Sequence, residues 1–150
     1  MKSRLVTNRQ RIIHLPYQVV TTGELLPPPR IQQESDDWKC LIEPVDEIVR
    51  MARAQGVTPM IFLLPSAATV YSQYDVTLAR YDEHHQLIYD ALQSHLATQA
   101  VPLSDLQQQL RVELHKHFIF AHQADYHLNS LGVQKVSEQV VTALRLMGHT

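Results

Sequence analysis

The sequence predicts an α/β domain with a small, mainly parallel sheet, and three observations predict it. A helical apolar pattern ends at Gly56 and leads directly into the apolar run 57–64. A second short apolar run, 101–103, comes after the next helical segment. Helix, glycine, buried strand is the repeating half of a doubly wound sheet, in which strands covered on both faces read as continuous apolar runs. The chain then closes with a last helical pattern over 130–147.

Residues 1–34 form the least regular part and are expected to be an irregular N-terminal arm ahead of a domain spanning 35–150. Ile12-Ile13-His14-Leu15 and Val19-Val20-Thr21-Thr22 are β-prone, and Pro27-Pro28-Pro29 imposes an extended connection. From Asp36 or Asp37 to Gln55, Trp38, Leu41, Ile42, Val45, Ile48, Val49 and Ala52 make an i, i+3, i+4, i+7 stripe. Pro44 lies within that stripe and predicts a kink or a helix starting near it. Residues 65–75 are expected to form a loop at the carboxyl end of the 57–64 strand, where open α/β sheets place their ligand crevice. Residues 81–98 are expected to be a helix burying Tyr81, Leu87, Ile88, Ala91, Leu92, His95 and Leu96. Ser104-Asp105-Leu106-Gln107 resembles a capping box for another helix, so Asp105 is read as a cap. Phe118-Ile119-Phe120 is expected to be extended and to feed a polar loop.

Composition narrows the function classes. The 150 residues carry a formal net charge of -2, with 45% hydrophobic and 19% charged residues. That length supports one core without disulfides, and the charge argues against a nucleic-acid surface. No apolar run reaches membrane-spanning length. The basic start Met1-Lys2-Ser3-Arg4 leads into no apolar signal core. Cys40 is the single cysteine, so an intrachain disulfide is impossible.

The chemistry concentrates in Asp125-Tyr126-His127-Leu128-Asn129-Ser130-Leu131-Gly132. An acid and an imidazole two residues apart, in a loop pinned by a packed helix, suit the orienting acid and base of a nucleophile–base–acid arrangement. The competing reading is that Asp125, Asn129 or Ser130 caps the last helix and His127 is a surface residue. The nine histidines also admit a metal reading. His115-x-His117, His122-x-x-Asp125-x-His127 and His84-His85 offer ligands, but no spacing fixes a coordination geometry.

Asp-x-His-x-Asn-x-x-Gly with a closing amphipathic helix behind it resembles the last block of the SGNH (GDSL-type) hydrolases. The branch it most resembles includes the cell-envelope polysaccharide O-acetyltransferases. Pro59-Met60-Ile61-Phe62-Leu63-Leu64-Pro65-Ser66-Ala67-Ala68-Thr69-Val70-Tyr71 and Val101-Pro102-Leu103-Ser104-Asp105-Leu106 resemble that branch's central strand and its short Asp-Leu strand. The resemblance covers residues 38–146. It implies a three-layer, flavodoxin-like sheet, incomplete at its N-terminal side. It also implies hydrolysis or transfer of an ester-linked acyl group, acetyl on a carbohydrate above all, in a cell-envelope setting and without a cofactor.

Under that resemblance His127 is the general base and Asp125 its orienting acid. Tyr126, between them, stands at the mouth of any site and is, with Asn129 and Ser66, a candidate substrate contact; Ser66 is also the nucleophile candidate, weighed against a loop or cap role. The family's Gly-Asp-Ser turn is absent, as is its Gly-x-Asn-Asp block, since the only asparagines are Asn8 and Asn129. Ser66 and Ser72 come after a strand, but Pro65-Ser66-Ala67-Ala68 lacks the glycine that a sharp nucleophile turn needs. The chain is therefore expected to be the C-terminal half of a longer enzyme, or a non-catalytic glycan- or partner-binding module. A half-sheet exposes apolar strand edges, so a homo-oligomer or a missing N-terminal half is the expected partner. Arg80 and Arg111 could meet an anionic substrate or simply face solvent.

Overall fold

The computed structural model describes residues 11–22, 35–122 and 125–148, of which 11, 12, 14, 19–22, 122, 125 and 126 are described in backbone only. The basic start, the triple proline and the polar run 32–34 lie outside the described residues. The architecture is mixed α/β, mostly helical, in the order β1 (Arg11–His14), β2 (Val19–Thr22), α1 (Asp36–Ala54), β3 (Ile61–Leu63), α2 (Ala67–Tyr71), α3 (Ala79–Thr98), β4 (Leu103–Asp105), α4 (Gln107–Leu114), β5 (Phe120–His122), β6 (Asp125–Leu128) and α5 (Ser130–Leu146).

The β3 and β4 strands pair in parallel, Ile61 opposite Leu103 and Leu63 opposite Asp105. Parallel neighbours need a long crossover, and α2 with α3 supplies it. The β3 ladder is shorter than the apolar run 57–64. Pro59 and Pro65 bracket it and donate no backbone hydrogen bond, and Val57 and Leu64 are exposed. Nor is β3 buried on both faces, for its three residues are half-buried and, among the described residues, pair only with β4.

Helix α1 starts at a Ser35 N-cap, whose side chain accepts from Trp38 N, and runs unbroken through Pro44. Cys40 and Pro44 are both exposed, so water can satisfy the carbonyl that proline leaves without a donor. The α1 stripe is narrower than the sequence pattern: Ile42 and Val49 are buried, while Ile48 faces out. On α3 the buried positions are Tyr81, His85, Leu92 and Leu96. Leu87, six residues after Tyr81, is turned to the opposite side and exposed.

Two clusters hold the fold together. Val49, Leu96 and Val101 join α1 and α3 beside the parallel pair, with Ile61 and Leu103 packed against them. Ile13, Leu15, Tyr71, Leu78, Leu110, Leu114, Ile119 and Phe120 belong to the larger cluster. Residues 11–22 of the arm are thus an antiparallel hairpin that sends Ile13 and Leu15 into that core. Tyr17 O–H donates to the Leu114 carbonyl at 2.6 Å. Desolvation there, with Tyr74 nearby, pushes the phenol up to about 12.

A polar clamp ties α1 to α3. Asp46 Oδ1 meets His95 Nε2 at 2.7 Å and accepts from Gln99 Nε2 at 2.7 Å. Burial pulls the Asp46 carboxyl upward, but the hydrogen bonds from His95 and Gln99 and the His95 charge outweigh it, leaving it below the ordinary carboxylate range. A depressed carboxyl stabilises the fold above its unfolded pKa and loses that contribution as pH falls through its folded pKa. Asp46→Asn is accordingly expected to be less stable than the parent at about pH 6, with the gap closing below about pH 4. Urea titrations across that range check it, and a gap that persists into acid would mean the carboxylate charge is not what holds the helices.

Candidate functional site

The Asp-His block is part of a hairpin rather than a loop. Strands β5 and β6 pair antiparallel with an irregular register, Phe120 opposite Leu128 and His122 opposite Asp125. Strand period explains how the segment divides: Leu128 packs against the core while His127 is exposed. Asp125 stands two residues before His127, the spacing that places residues on one side of a strand. The Asp125 and Tyr126 side chains lie outside the described residues.

Immediately after His127 the chain is locked in place. Asn129 is the N-cap of α5, its Oδ1 accepting from Gly132 N at 2.9 Å. Its amide nitrogen donates to the Phe118 carbonyl at 2.8 Å and the Phe120 carbonyl at 3.0 Å. Asn129 N also donates to the Ile119 carbonyl at 2.9 Å. The whole Asn129 side chain is spent on backbone, tying β5, β6 and α5 at one point. Gly132 completes the lock, because a Cβ there would stand 2.4 Å from the Ile119 oxygen. The asparagine and glycine of the motif therefore seat the helix, and the exposed residue they position is His127.

Ser66 sits at the carboxyl end of β3 as the N-cap of α2, accepting from Thr69 N at 3.1 Å and sharing a hydrogen bond with Thr69 Oγ1 at 2.8 Å. Ser72 Oγ donates to the Thr69 carbonyl at 2.7 Å and accepts from Arg111 at 2.6 Å. Segment 65–75 is thus a short helix and turns rather than a loop, with α2 wholly buried.

The same strand ends hold a polar network that sequence reasoning missed. Buried His85 meets Asp105 Oδ1 at 2.9 Å, and that oxygen also accepts from Gln107 N at 2.9 Å. Arg111 pairs with Asp82 at 2.9 Å and donates to the Thr69 carbonyl at 2.9 Å; Gln107 also donates to Asp82. The signal was available, since His85 falls in phase with Tyr81, Leu92 and Leu96 on α3. Its neighbour His84 has its pKa lowered by desolvation and then by the His85 charge. Arg111 is therefore an internal strut. Arg80 lies over the Tyr81 ring, 5.1 Å from its centroid.

No group of three or more His, Cys, Asp or Glu among the described residues is placed to hold a metal ion. His115 Nδ1 hydrogen-bonds Tyr74 O–H at 3.1 Å, and the two rings stack. Among the described residues no helix is long and apolar enough to cross a membrane. Comparison with family models, curated proteins and solved structures finds no match to this chain.

Proposed function

We propose that His127 and Asp125 are the base and orienting acid of an SGNH-type site that hydrolyses or transfers an ester-linked acyl group, acetyl on a carbohydrate in the form the motif most resembles. The observation that supports this reading is the lock itself. Asn129 and Gly132 fix β6 against α5, and the side chain left exposed at the end of that construction is an imidazole. In acyl transfer such an imidazole takes the proton of the attacking hydroxyl and returns it to the leaving alcohol. An acid two residues earlier on the strand would hold the ring's other nitrogen and steady its cation. The β3–β4 pair would be part of a three-layer sheet, and Ser66 would cap α2 rather than attack.

A second reading, a non-catalytic module that binds an acylated glycan or a protein partner, is favoured by one observation. The two serines beyond β3 are both engaged in local hydrogen bonds, with Thr69 and Arg111 as their partners. Hydrolysis of p-nitrophenyl acetate separates the readings. Under the enzymatic one, His127→Ala is expected to lower turnover by about a hundredfold or more, while Ser66→Ala leaves it near the parent rate. Equal rates for the parent and His127→Ala would overturn the base assignment and leave the binding module.

A further inference from the structure

Helix α1 buries one face and presents a second apolar one. Ile42 and Val49 are buried, and Val49 joins the cluster with Leu96 and Val101. On the adjoining face Leu41 is half-buried, while Pro44, Ile48 and Met51 are exposed. Apolar residues exposed singly need no explanation. These four stand at intervals of three, four and three residues, the spacing of a seam along which helices pair. The spacing reads alike from either end, so a copy laid antiparallel sets Leu41 against Met51 and Pro44 against Ile48. Charge selects that occupant. Lys39 is held by Asp36, and the remaining exposed charges run acid first, with Asp37, Glu43 and Glu47, and base last, with Arg50 and Arg53. Arg50 grips Glu47 through Nε and Nη2. Its Nη1 and the Glu43 carboxylate have no partner among the described residues.

We propose that this face of α1 binds a second copy of the chain, the two helices pairing antiparallel along Leu41, Pro44, Ile48 and Met51. In that register Glu43 of one copy lies beside Arg50 of the other, and the twofold axis repeats the pair. Parallel pairing would instead align the two acidic halves and the like ends of the helix dipoles. A seam this short covers less than the roughly 1,200 Å² of a standard interface, so the dimer dissociates with a constant on the order of 10–100 μM. The surface involves neither His127 nor Asp125, so the proposal stands apart from the acyl-ester reading.

Sedimentation equilibrium of the full chain across that concentration range is expected to show monomer and dimer. Ile48→Glu should weaken dimerisation about tenfold or more, with a melting temperature near the parent's because the residue is exposed. Val141→Glu, a change at an exposed apolar position on α5, should leave dimerisation as it is. Glu43→Lys and Arg50→Glu should each weaken the dimer about fivefold, and the two exchanges together should restore it. Cys40 is exposed on α1 and reports the orientation. Antiparallel pairing sets the two Cys40 residues about 18 Å apart along the axis, so mild oxidation should not couple them. The proposal is overturned by a monomer at every concentration, by an Ile48→Glu dimer as tight as the parent's, or by a folded Val141→Glu variant that no longer dimerises. A double exchange that fails to restore the dimer, or a Cys40-linked dimer, overturns it equally.

Discussion

Replacing Gly132 by alanine is expected to destabilise the protein by about 2 kcal/mol or more, although alanine is the better helix former. Two effects of opposite sign compete at this position. Inside a helix, glycine to alanine would gain about 1 kcal/mol from backbone entropy. Against that, the new methyl would stand 2.4 Å from the Ile119 carbonyl oxygen and 2.9 Å from Leu128 Cδ2. The leucine tip can move, but the carbonyl cannot, since it accepts from Asn129 N at 2.9 Å. Helix α5 would have to retreat from β5, drawing Val136 away from the larger core. The clash therefore wins. Urea denaturation measures the outcome, and an alanine variant as stable as the parent would mean that α5 is not seated on the hairpin.

Asn129→Ala is expected to cost about 3 kcal/mol, made of two separable parts. Loss of the N-cap accounts for about 1 kcal/mol. The two hydrogen bonds to the Phe118 and Phe120 carbonyls account for the rest, at about 1 kcal/mol each, and more where the carbonyl belongs to a buried residue such as Phe120. Asn129→Asp discriminates between the parts. It keeps an acceptor for Gly132 N but removes both donors and sets a carboxylate against two carbonyl oxygens. Aspartate should therefore be no better tolerated than alanine. If aspartate restored the parent's stability, the residue would be a cap and nothing more. If alanine changed p-nitrophenyl acetate hydrolysis while leaving stability untouched, Asn129 would serve the proposed site instead of the fold.

These two residues mark the boundary between what is local and what is not. Asn129 and Gly132 stand out in the chain because they sit at fixed spacings after His127, and by resemblance that spacing suggests a substrate-contacting asparagine. A linear string does not report that the carbonyls of 118, 119 and 120, in and just before β5, converge on the same point. His85 illustrates the reverse. Its phase on α3 makes it a core position, yet its acid partner Asp105 is 20 residues away and reaches it because α3 packs against β4. Leu87 departs from expectation for a simpler reason: it is apolar, but its helical phase turns it off the buried face.

Local pattern alone was enough for whatever depends on neighbours along the chain. It located α1, α3 and α5 from apolar spacing, the extended run 19–22, the strand candidates 57–64 and 101–103, which β3 and β4 overlap with different bounds, and the Asp-x-His-x-Asn-x-x-Gly block. Such features arise from backbone period and side-chain polarity within a few residues, which need no knowledge of distant contacts. Everything that depends on which distant parts of the chain meet was settled by tertiary packing: the arm's hairpin entering the core, Tyr17 reaching the Leu114 carbonyl and His85 reaching Asp105. Those outcomes come from hydrogen-bond partners and buried volume supplied by residues tens of positions away, and no local preference encodes them.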